Sequence, residues 1–157
     1  MKKTIIVIAG HTGAGKSFTT KKLKDKLCLD TVCLSDLGIL LPKSHLLARY
    51  KIEKLMLERI ESILKNRELV IVDGLASFHL YKRLKRIYLV KTIFIDTPYK
   101  IRIERIANRE NISYNQAKYL EQQIESHKTK SGLNKIINCS DIIIVNTNKT
   151  EFKLIRK

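Results

Sequence analysis

One eight-residue run constrains this chain of 157 residues more than any other feature. Residues 10–17 read Gly-His-Thr-Gly-Ala-Gly-Lys-Ser and match the pattern G-x4-G-K-S/T. The run follows an apolar stretch at 4–9, rich in β-branched residues and typical of a strand covered on both faces. A helical pattern with several lysines begins at Lys16. A glycine loop between a buried strand and a helix is the context that a phosphate-binding (Walker A) loop requires.

Each residue type in this loop has a chemical reason to be there. The glycines allow backbone N–H groups to point inward toward a phosphate, and the helix N-terminus adds to their attraction for an anion. Lys16 supplies a point charge for the β- and γ-phosphates, and the Ser17 hydroxyl suits Mg²⁺. The sequence therefore predicts a site for a nucleoside triphosphate and Mg²⁺, with these nucleotide-binding residues: Gly10, His11, Thr12, Gly13, Ala14, Gly15, Lys16, Ser17 and Phe18.

The rest of the chain alternates between strand and helix patterns. Further strands are predicted at 31–34, 69–72, 87–96 and 142–145, and helices at 16–28, 44–66, 98–111, 115–127 and 133–138, with a charged helix from Lys149. Such alternation favours a three-layer α/β domain with a mostly parallel sheet. The length suits one domain spanning residues 1–157.

Two carboxylates follow predicted strands, at the sheet edge where open α/β folds bind ligands. Asp73 ends the third strand and is predicted to hold the metal through water; the alternative is an ordinary Asp-Gly turn. Asp36 follows the second strand and could accept the proton of an attacking hydroxyl or bind the acceptor. A helix N-cap or a turn is the alternative for Asp36.

Three arginines, Arg102, Arg105 and Arg109, recur at i, i+3 and i+7 and so share one face of a predicted helix. Guanidinium groups at fixed positions can neutralise charge on a phosphoryl group in transfer. A solvated helix face is the alternative interpretation.

The amino-acid composition indicates which classes of binding partner are favoured. Lys and Arg number 31 against 15 Asp and Glu, a formal net charge of +16, which favours an anionic partner but leaves phosphorylated small molecules, nucleic acid and acidic membranes open. The chain lacks an apolar run of the ~18 residues that a spanning helix needs, so a soluble cytoplasmic protein is expected. The three cysteines lack paired zinc-site spacing and are interpreted as reduced thiols.

Several of these motifs together resemble one family. The loop at 10–17, Asp36, the Val-Asp-Gly at 72–74 and the arginine-rich stretch at 102–113 are similar to those of the nucleoside-monophosphate-kinase-like P-loop kinases. Within that group the pattern most resembles dephospho-coenzyme A kinases and their archaeal relatives. The residues that carry this second likeness are Gln122, Gln123, Lys128 and the Ser-Asp-Ile-Ile-Ile-Val-Asn run at 140–146.

The resemblance implies a five-stranded parallel sheet of order 2-3-1-4-5 and a mobile lid at about 105–130. It implies an ATP-dependent kinase whose catalytic residues are Lys16, Asp36, Arg105 and Arg109, with Arg102 among the nucleotide-binding residues and Ser17 and Asp73 at the metal. The expected acceptor is nucleotide-like, of the nucleoside monophosphate or dephospho-coenzyme A type, and no membrane partner is expected. A nucleic-acid-responsive P-loop ATPase, or a regulatory nucleotide-binding protein, is the alternative that the charge favours.

Overall fold

The computed structural model describes residues 2–33, 46–147 and 153–156, the backbone alone for 46–49 and 153–156. Within these ranges, six strands form one sheet of order β2-β3-β1-β4-β5-β6. The strands are β1 (Thr4–Gly10), β2 (Asp30–Cys33), β3 (Leu69–Asp73), β4 (Leu89–Asp96), β5 (Ile142–Val145) and β6 (Lys153–Arg156). The first five pair in parallel, which confirms the predicted sheet of order 2-3-1-4-5.

The C-terminal prediction was wrong. Residues 153–156 form β6, which pairs antiparallel with β5, where a helix from Lys149 was expected. The outer edge of a parallel strand leaves backbone N–H and C=O groups without partners, and a returning strand satisfies them. The local charge pattern of the segment does not report that distant edge.

The helices are α1 (Lys16–Leu27), α2 (Leu46–Asn66), α3 (Phe78–Ile87), α4 (Tyr99–Glu110), α5 (Tyr114–Ser131) and α6 (Leu133–Asn138). Sequence patterns missed α3 and placed Ile87 in the fourth strand. The Ser77 hydroxyl caps this helix by accepting from the N–H of Leu80, and the strand begins only at Leu89. None of the helices in the described part of the chain is long and apolar enough to cross a bilayer.

Helices cover both faces of the sheet because successive strand residues point in opposite directions. Ile5, Val7 and Ala9 of β1 pack in the larger core cluster, with apolar side chains of α2, α3 and α6. Ile6 and Ile8 belong to the cluster on the opposite face, which includes Leu23 of α1. The central strand is thus buried on both faces, as its continuous apolar run predicted.

The register brings the functional loops to one edge. Ile8 of β1 lies opposite Asp73 of β3, and Gly10 lies opposite Ile95 of β4. Because these strands are parallel, their carboxyl ends open onto the same crevice. The predicted phosphate loop and Asp73 are therefore neighbours.

Helices α4 and α5 form a hairpin with its own small core. The buried members of this cluster are Ile103, Ile106 and Ala117, and Ile112 and Leu120 pack against them. A capping box between Ser113 and Gln116 begins α5. The hairpin covers nearly all of the predicted lid at 105–130, whose mobility stays a prediction.

A buried hydrogen bond fastens α3 to the sheet and is open to test. The Tyr81 hydroxyl lies 3.0 Å from the Thr92 hydroxyl, and both residues are buried. We expect Tyr81→Phe to lower the free energy of unfolding by about 1–3 kcal/mol, because it leaves the Thr92 hydroxyl buried without this partner. Urea titration of Tyr81→Phe, Thr92→Val and the double variant is the measurement, with the exposed Tyr119→Phe as control.

The double variant should cost less than the sum of the two single changes, because the second change removes a group that the first left unsatisfied. Strictly additive losses would contradict the assigned hydrogen bond.

Candidate functional site

The loop at 10–17 turns tightly between β1 and α1, and its glycines have a structural cause. Gly13 and Gly15 have φ of 78° and 88°, in the left-handed region that favours glycine. A Cβ at Gly13 would meet the Arg102 carbonyl oxygen at 2.6 Å. The loop therefore lies against α4 at a distance that a side chain at Gly13 would prevent.

Arginines from α4 bind the outer side of this loop. Arg102 Nη1 donates to the Thr12 carbonyl at 3.4 Å, and Arg105 Nη1 donates to the Gly13 carbonyl at 3.4 Å. Arg105 also donates to the side-chain oxygen of Asn146 at 3.4 Å. Two of the three predicted arginines are thus brought to the loop through its backbone oxygens.

The next two carbonyls are bound in the same way. Ala14 O accepts from the Thr97 hydroxyl at 3.0 Å and from Asn146 Nδ2 at 2.9 Å. Gly15 O accepts from the backbone N–H of Thr19 at 3.1 Å and from its hydroxyl at 3.2 Å. Counting His11 O, to which Lys16 Nζ donates at 2.8 Å, each carbonyl from residue 11 to 15 accepts a hydrogen bond from the surrounding protein.

The start of α1 lacks the groups that usually occupy a helix N-terminus. The N-cap is Gly15, without a side-chain capping bond, and the first turn has no acidic residue. First-turn N–H groups have no acceptor within their own helix, so they are available to an anion. Ser17 is exposed in this turn, and Phe18 is 54% exposed, with the Lys22 ammonium 4.5 Å from the centroid of its ring.

Lys16 stands in a partly desolvated place between loop and sheet. Burial, together with repulsion from the Lys128 ammonium, lowers the pKa of Lys16 to about 8, although Asp73 and Glu125 act in the opposite direction. Asp73 itself is 4% exposed. The charged form of Lys16 is therefore less favoured here than in water.

The three arginines separate in the fold. Arg102 is buried, and its Nη1 lies 2.6 Å from Glu121 Oε1 of α5, so it joins the two helices of the hairpin. Arg109 pairs with its neighbour Glu110 at 2.7 Å with a side chain 59% exposed. The predicted roles of Arg105 and Arg109 in group transfer stay predictions, as does that of Asp36, which lies outside the described residues.

Helix α5 contributes a contact to the loop that no sequence pattern indicated. Glu125 Oε1 accepts from the backbone N–H and the hydroxyl of Thr12, both at 2.7 Å, and Oε2 lies 2.8 Å from His11 Nδ1. Lys128 Nζ donates to Thr12 Oγ1 at 2.7 Å and to Glu125 Oε1 at 3.1 Å. A carboxylate and an ammonium of α5 therefore meet on the first half of the loop.

This arrangement keeps Glu125 ionised. Burial raises the pKa of Glu125, but hydrogen bonds from His11 and Thr12 and the charge of Lys128 together outweigh it and hold that pKa well below its usual range. Burial lowers the pKa of Lys128, against the attraction of Glu125.

Sequence reasoning also passed over Thr97 and Asn146 as contributors to the site. Both follow strands at the carboxyl edge, β4 and β5, so the rule that selected Asp73 would have found them. Glu125 had no comparable signal, because it lies mid-helix and outside any motif.

The glycine loop, whose carbonyls accept hydrogen bonds from the surrounding protein, lies at the carboxyl edge of the parallel strands, which have the order 2-3-1-4-5. This combination of loop and sheet is the P-loop kinase-like fold. The family model AAA_18, an AAA domain, matches residues 6–129, and the chain belongs to this family. A UPF0200 protein of Staphylothermus marinus is 27% identical over 168 residues, covering 96% of this chain and 87% of that protein.

Solved structures show the same fold. Shikimate kinase from Bacteroides thetaiotaomicron has a TM-score of 0.62 at 15% identity, with 94% of this chain and 89% of that chain covered. Shikimate kinase from Acinetobacter baumannii in complex with shikimate has a TM-score of 0.60 at 19% identity, covering 95% and 86%. An uncharacterized protein from Eubacterium ventriosum has a TM-score of 0.65 at 16% identity, covering 91% and 88%.

The low pKa of Lys16 predicts that the charge of this residue destabilises the fold. Because the folded pKa lies near 8, below the usual value of 10.5, the cost of the buried charge is complete below pH 8 and disappears as the pH rises toward 10.5. We expect Lys16→Met to raise the thermal unfolding midpoint by a few degrees at pH 7, and by less at pH 10.

Lys21→Met, at an exposed position of the same helix, is the control and should leave the midpoint nearly unchanged at both pH values. A lower midpoint for Lys16→Met at pH 7 would show that its bond to the His11 carbonyl outweighs desolvation.

Proposed function

We propose that this protein is an ATP-dependent small-molecule kinase that transfers the γ-phosphoryl group of ATP to a nucleotide-like acceptor. The main support for this proposal is that every backbone carbonyl from residue 11 to 15 accepts a hydrogen bond from a donor of the protein. A loop whose oxygens are all engaged by protein donors does not present them to an anion. Its remaining N–H groups and the open start of α1 then suit the β-phosphate.

Lys16 is the cation of this cradle. Its ammonium donates to the His11 carbonyl and is attracted by the buried Asp73, and it is proposed to bridge the β- and γ-phosphates. A phosphate chain supplies the negative charge that desolvated Lys16 lacks. Arg102 contributes as a support of the Thr12 carbonyl, which orients the loop for nucleotide binding.

The residues present fit a magnesium ion. Mg²⁺ prefers oxygen ligands and keeps several waters, and the Ser17 hydroxyl and the Asp73 carboxylate are oxygen donors on adjoining segments of the crevice. Ser17 would hold the ion directly, and Asp73 through water. The ion, when bound, offsets negative charge on the β- and γ-oxygens.

Transfer in such a site depends on positioning and charge neutralisation. Asp36 is proposed to receive the proton of the acceptor hydroxyl or to hold the acceptor, and Arg105 and Arg109 to neutralise the phosphoryl group. The α4–α5 hairpin is proposed as the lid that excludes water, because water in the closed site would hydrolyse ATP. Its separate apolar cluster supports movement as a unit.

The acceptor class is proposed from sequence and charge. The likeness of Gln122, Gln123, Lys128 and residues 140–146 to dephospho-coenzyme A kinases, together with the net charge of +16, favours a phosphorylated acceptor. The shikimate bound to the Acinetobacter baumannii neighbour makes a small hydroxy acid a useful comparison compound.

An acceptor panel tests the proposal. The full chain is incubated with γ-labelled ATP and Mg²⁺ and with dephospho-coenzyme A, nucleoside monophosphates, nucleosides, shikimate or short RNA. Label is expected on a nucleotide-like compound. Label on RNA alone, or ATP hydrolysis that only nucleic acid stimulates and that weakens steeply with salt, would favour the nucleic-acid-responsive ATPase suggested by the charge.

Lys16→Ala tests the assigned cradle directly. We expect turnover to fall by ~10² to 10³, the usual loss for a charge-stabilising donor of the transition state. Initial rates with the acceptor that the panel selects are the measurement, and Lys21→Ala is the matched control on the exposed side of α1. An unimpaired Lys16→Ala enzyme would overturn the assignment.

A further inference from the structure

The contact between α5 and the loop resembles an anion-binding site in which the anion is a carboxylate of the protein itself, that of Glu125. Glu125 Oε1 accepts hydrogen bonds from the backbone N–H and the hydroxyl of Thr12, and Lys128 donates to Thr12 Oγ1 and to Glu125 Oε1. Phosphate oxygens bind to such loops through the same kinds of donor, backbone N–H, hydroxyl and ammonium. Glu125 therefore makes the bonds that an oxygen of a bound phosphoryl group could make.

Glu125 and Lys128 are both partly buried, which limits the screening of their charges by water. The side chains of Glu125 and Lys128 are 13% and 22% exposed, so water screens them only partly. The Lys128 ammonium is also near enough to Lys16 to repel it. An anion that arrives at Lys16 therefore attracts Lys128 and repels Glu125.

Two arginines of α4 are paired with carboxylates, Arg102 with Glu121 at 2.6 Å and Arg109 with Glu110 at 2.7 Å. The third, Arg105, donates to the Gly13 carbonyl and to Asn146, so Lys128 is proposed as a further cation beside Arg105 and Arg109. Lys128 has a long, flexible side chain whose ammonium can turn from one acceptor to another without moving its helix. It is well placed to follow an anion that replaces Glu125.

We infer that Lys128 contacts the terminal phosphoryl group of the nucleotide donor, and that Glu125 is the internal anion which this group displaces from Thr12 and Lys128. This inference rests on the proposed function and adds to it that Lys128 makes the site select a nucleoside triphosphate over a diphosphate. ADP can fill the cradle at 13–17 while Glu125 stays on Thr12. ATP brings the additional negative group that competes with the carboxylate.

Comparing the affinities for two nucleotides separates the contact with the terminal phosphoryl group from the contacts with the rest of the nucleotide. Isothermal titration calorimetry of the full chain with Mg²⁺ compares ADP with the non-hydrolysable β,γ-imido analogue of ATP. Lys128→Met should weaken binding of the analogue by roughly ten- to a hundredfold, the usual range for a lost charge-assisted hydrogen bond, and ADP by less than threefold. Lys128→Arg should restore the affinity for the analogue to within about threefold of the original.

Lys130→Met is the matched control. Lys130 is an exposed lysine of the same last turn of α5, so its loss changes net charge equally without touching the loop. Neither nucleotide should lose more than about threefold.

Glu125→Gln tests the proposed displacement of Glu125 by the terminal phosphoryl group. Glutamine keeps the size of the side chain but removes the charge that opposes the phosphate, so the analogue should bind about three- to tenfold more tightly while ADP changes little. A weaker affinity of Glu125→Gln for the analogue would overturn the displacement.

Other outcomes are equally decisive. Equal losses for ADP and the analogue in Lys128→Met would show a structural role and refute the contact, as would failure of Lys128→Arg to restore selectivity. If the unaltered chain binds neither nucleotide, the proposed kinase function fails and this inference with it. If the chain transfers phosphate but Lys128→Met keeps full selectivity for the analogue, the inference alone fails.

Discussion

Hydrogen bonds donated to the backbone carbonyls of residues 11–15 are the constraint on which the site depends. A carbonyl oxygen directed toward a phosphate would repel it, so a phosphate loop needs donors on its outer side. Here such donors come from α1, α4 and the residues that follow β4 and β5: Thr19, Thr97, Arg102, Arg105 and Asn146. Lys16 donates to the remaining carbonyl, that of His11. The parallel sheet brings these elements to one edge.

The charges of Lys16 and Glu125 have opposite effects on the stability of the fold. Lys16 is desolvated and repelled by Lys128, and its lowered pKa means that its charge costs stability. Hydrogen bonds from His11 and Thr12 and the charge of Lys128 hold the pKa of Glu125 below its usual range, so the charge of Glu125 adds stability. A buried charge that reduces stability, such as that of Lys16, is a feature that proteins retain at binding sites. Arg102 of α4 is paired with Glu121 of α5 and also donates to the Thr12 carbonyl, so both helices of the hairpin are connected to the loop.

Much of the fold was predictable because its signals are local. The central strand, the loop and α1 follow from an apolar run, glycines and a helical period, and β5 was placed at its observed limits. Helix α3 was missed because its apolar residues, Leu80, Tyr81 and Leu84, lie among basic residues and merge with the next strand. The final strand was mistaken for a helix because pairing with β5 is decided by the sheet edge.

The sequence by itself determined that a glycine loop would join a buried strand to a helix, and that Lys16, Ser17 and Asp73 would belong to one edge, since these follow from short-range patterns and parallel strands. The order of strands came through resemblance to a family. Only the tertiary structure decided that Arg102 and Arg105 hold loop carbonyls and that Glu125 meets Thr12, 113 residues away in the chain. Such pairs depend on how helices pack across the sheet, and a residue's own neighbours in sequence carry no record of that distant packing.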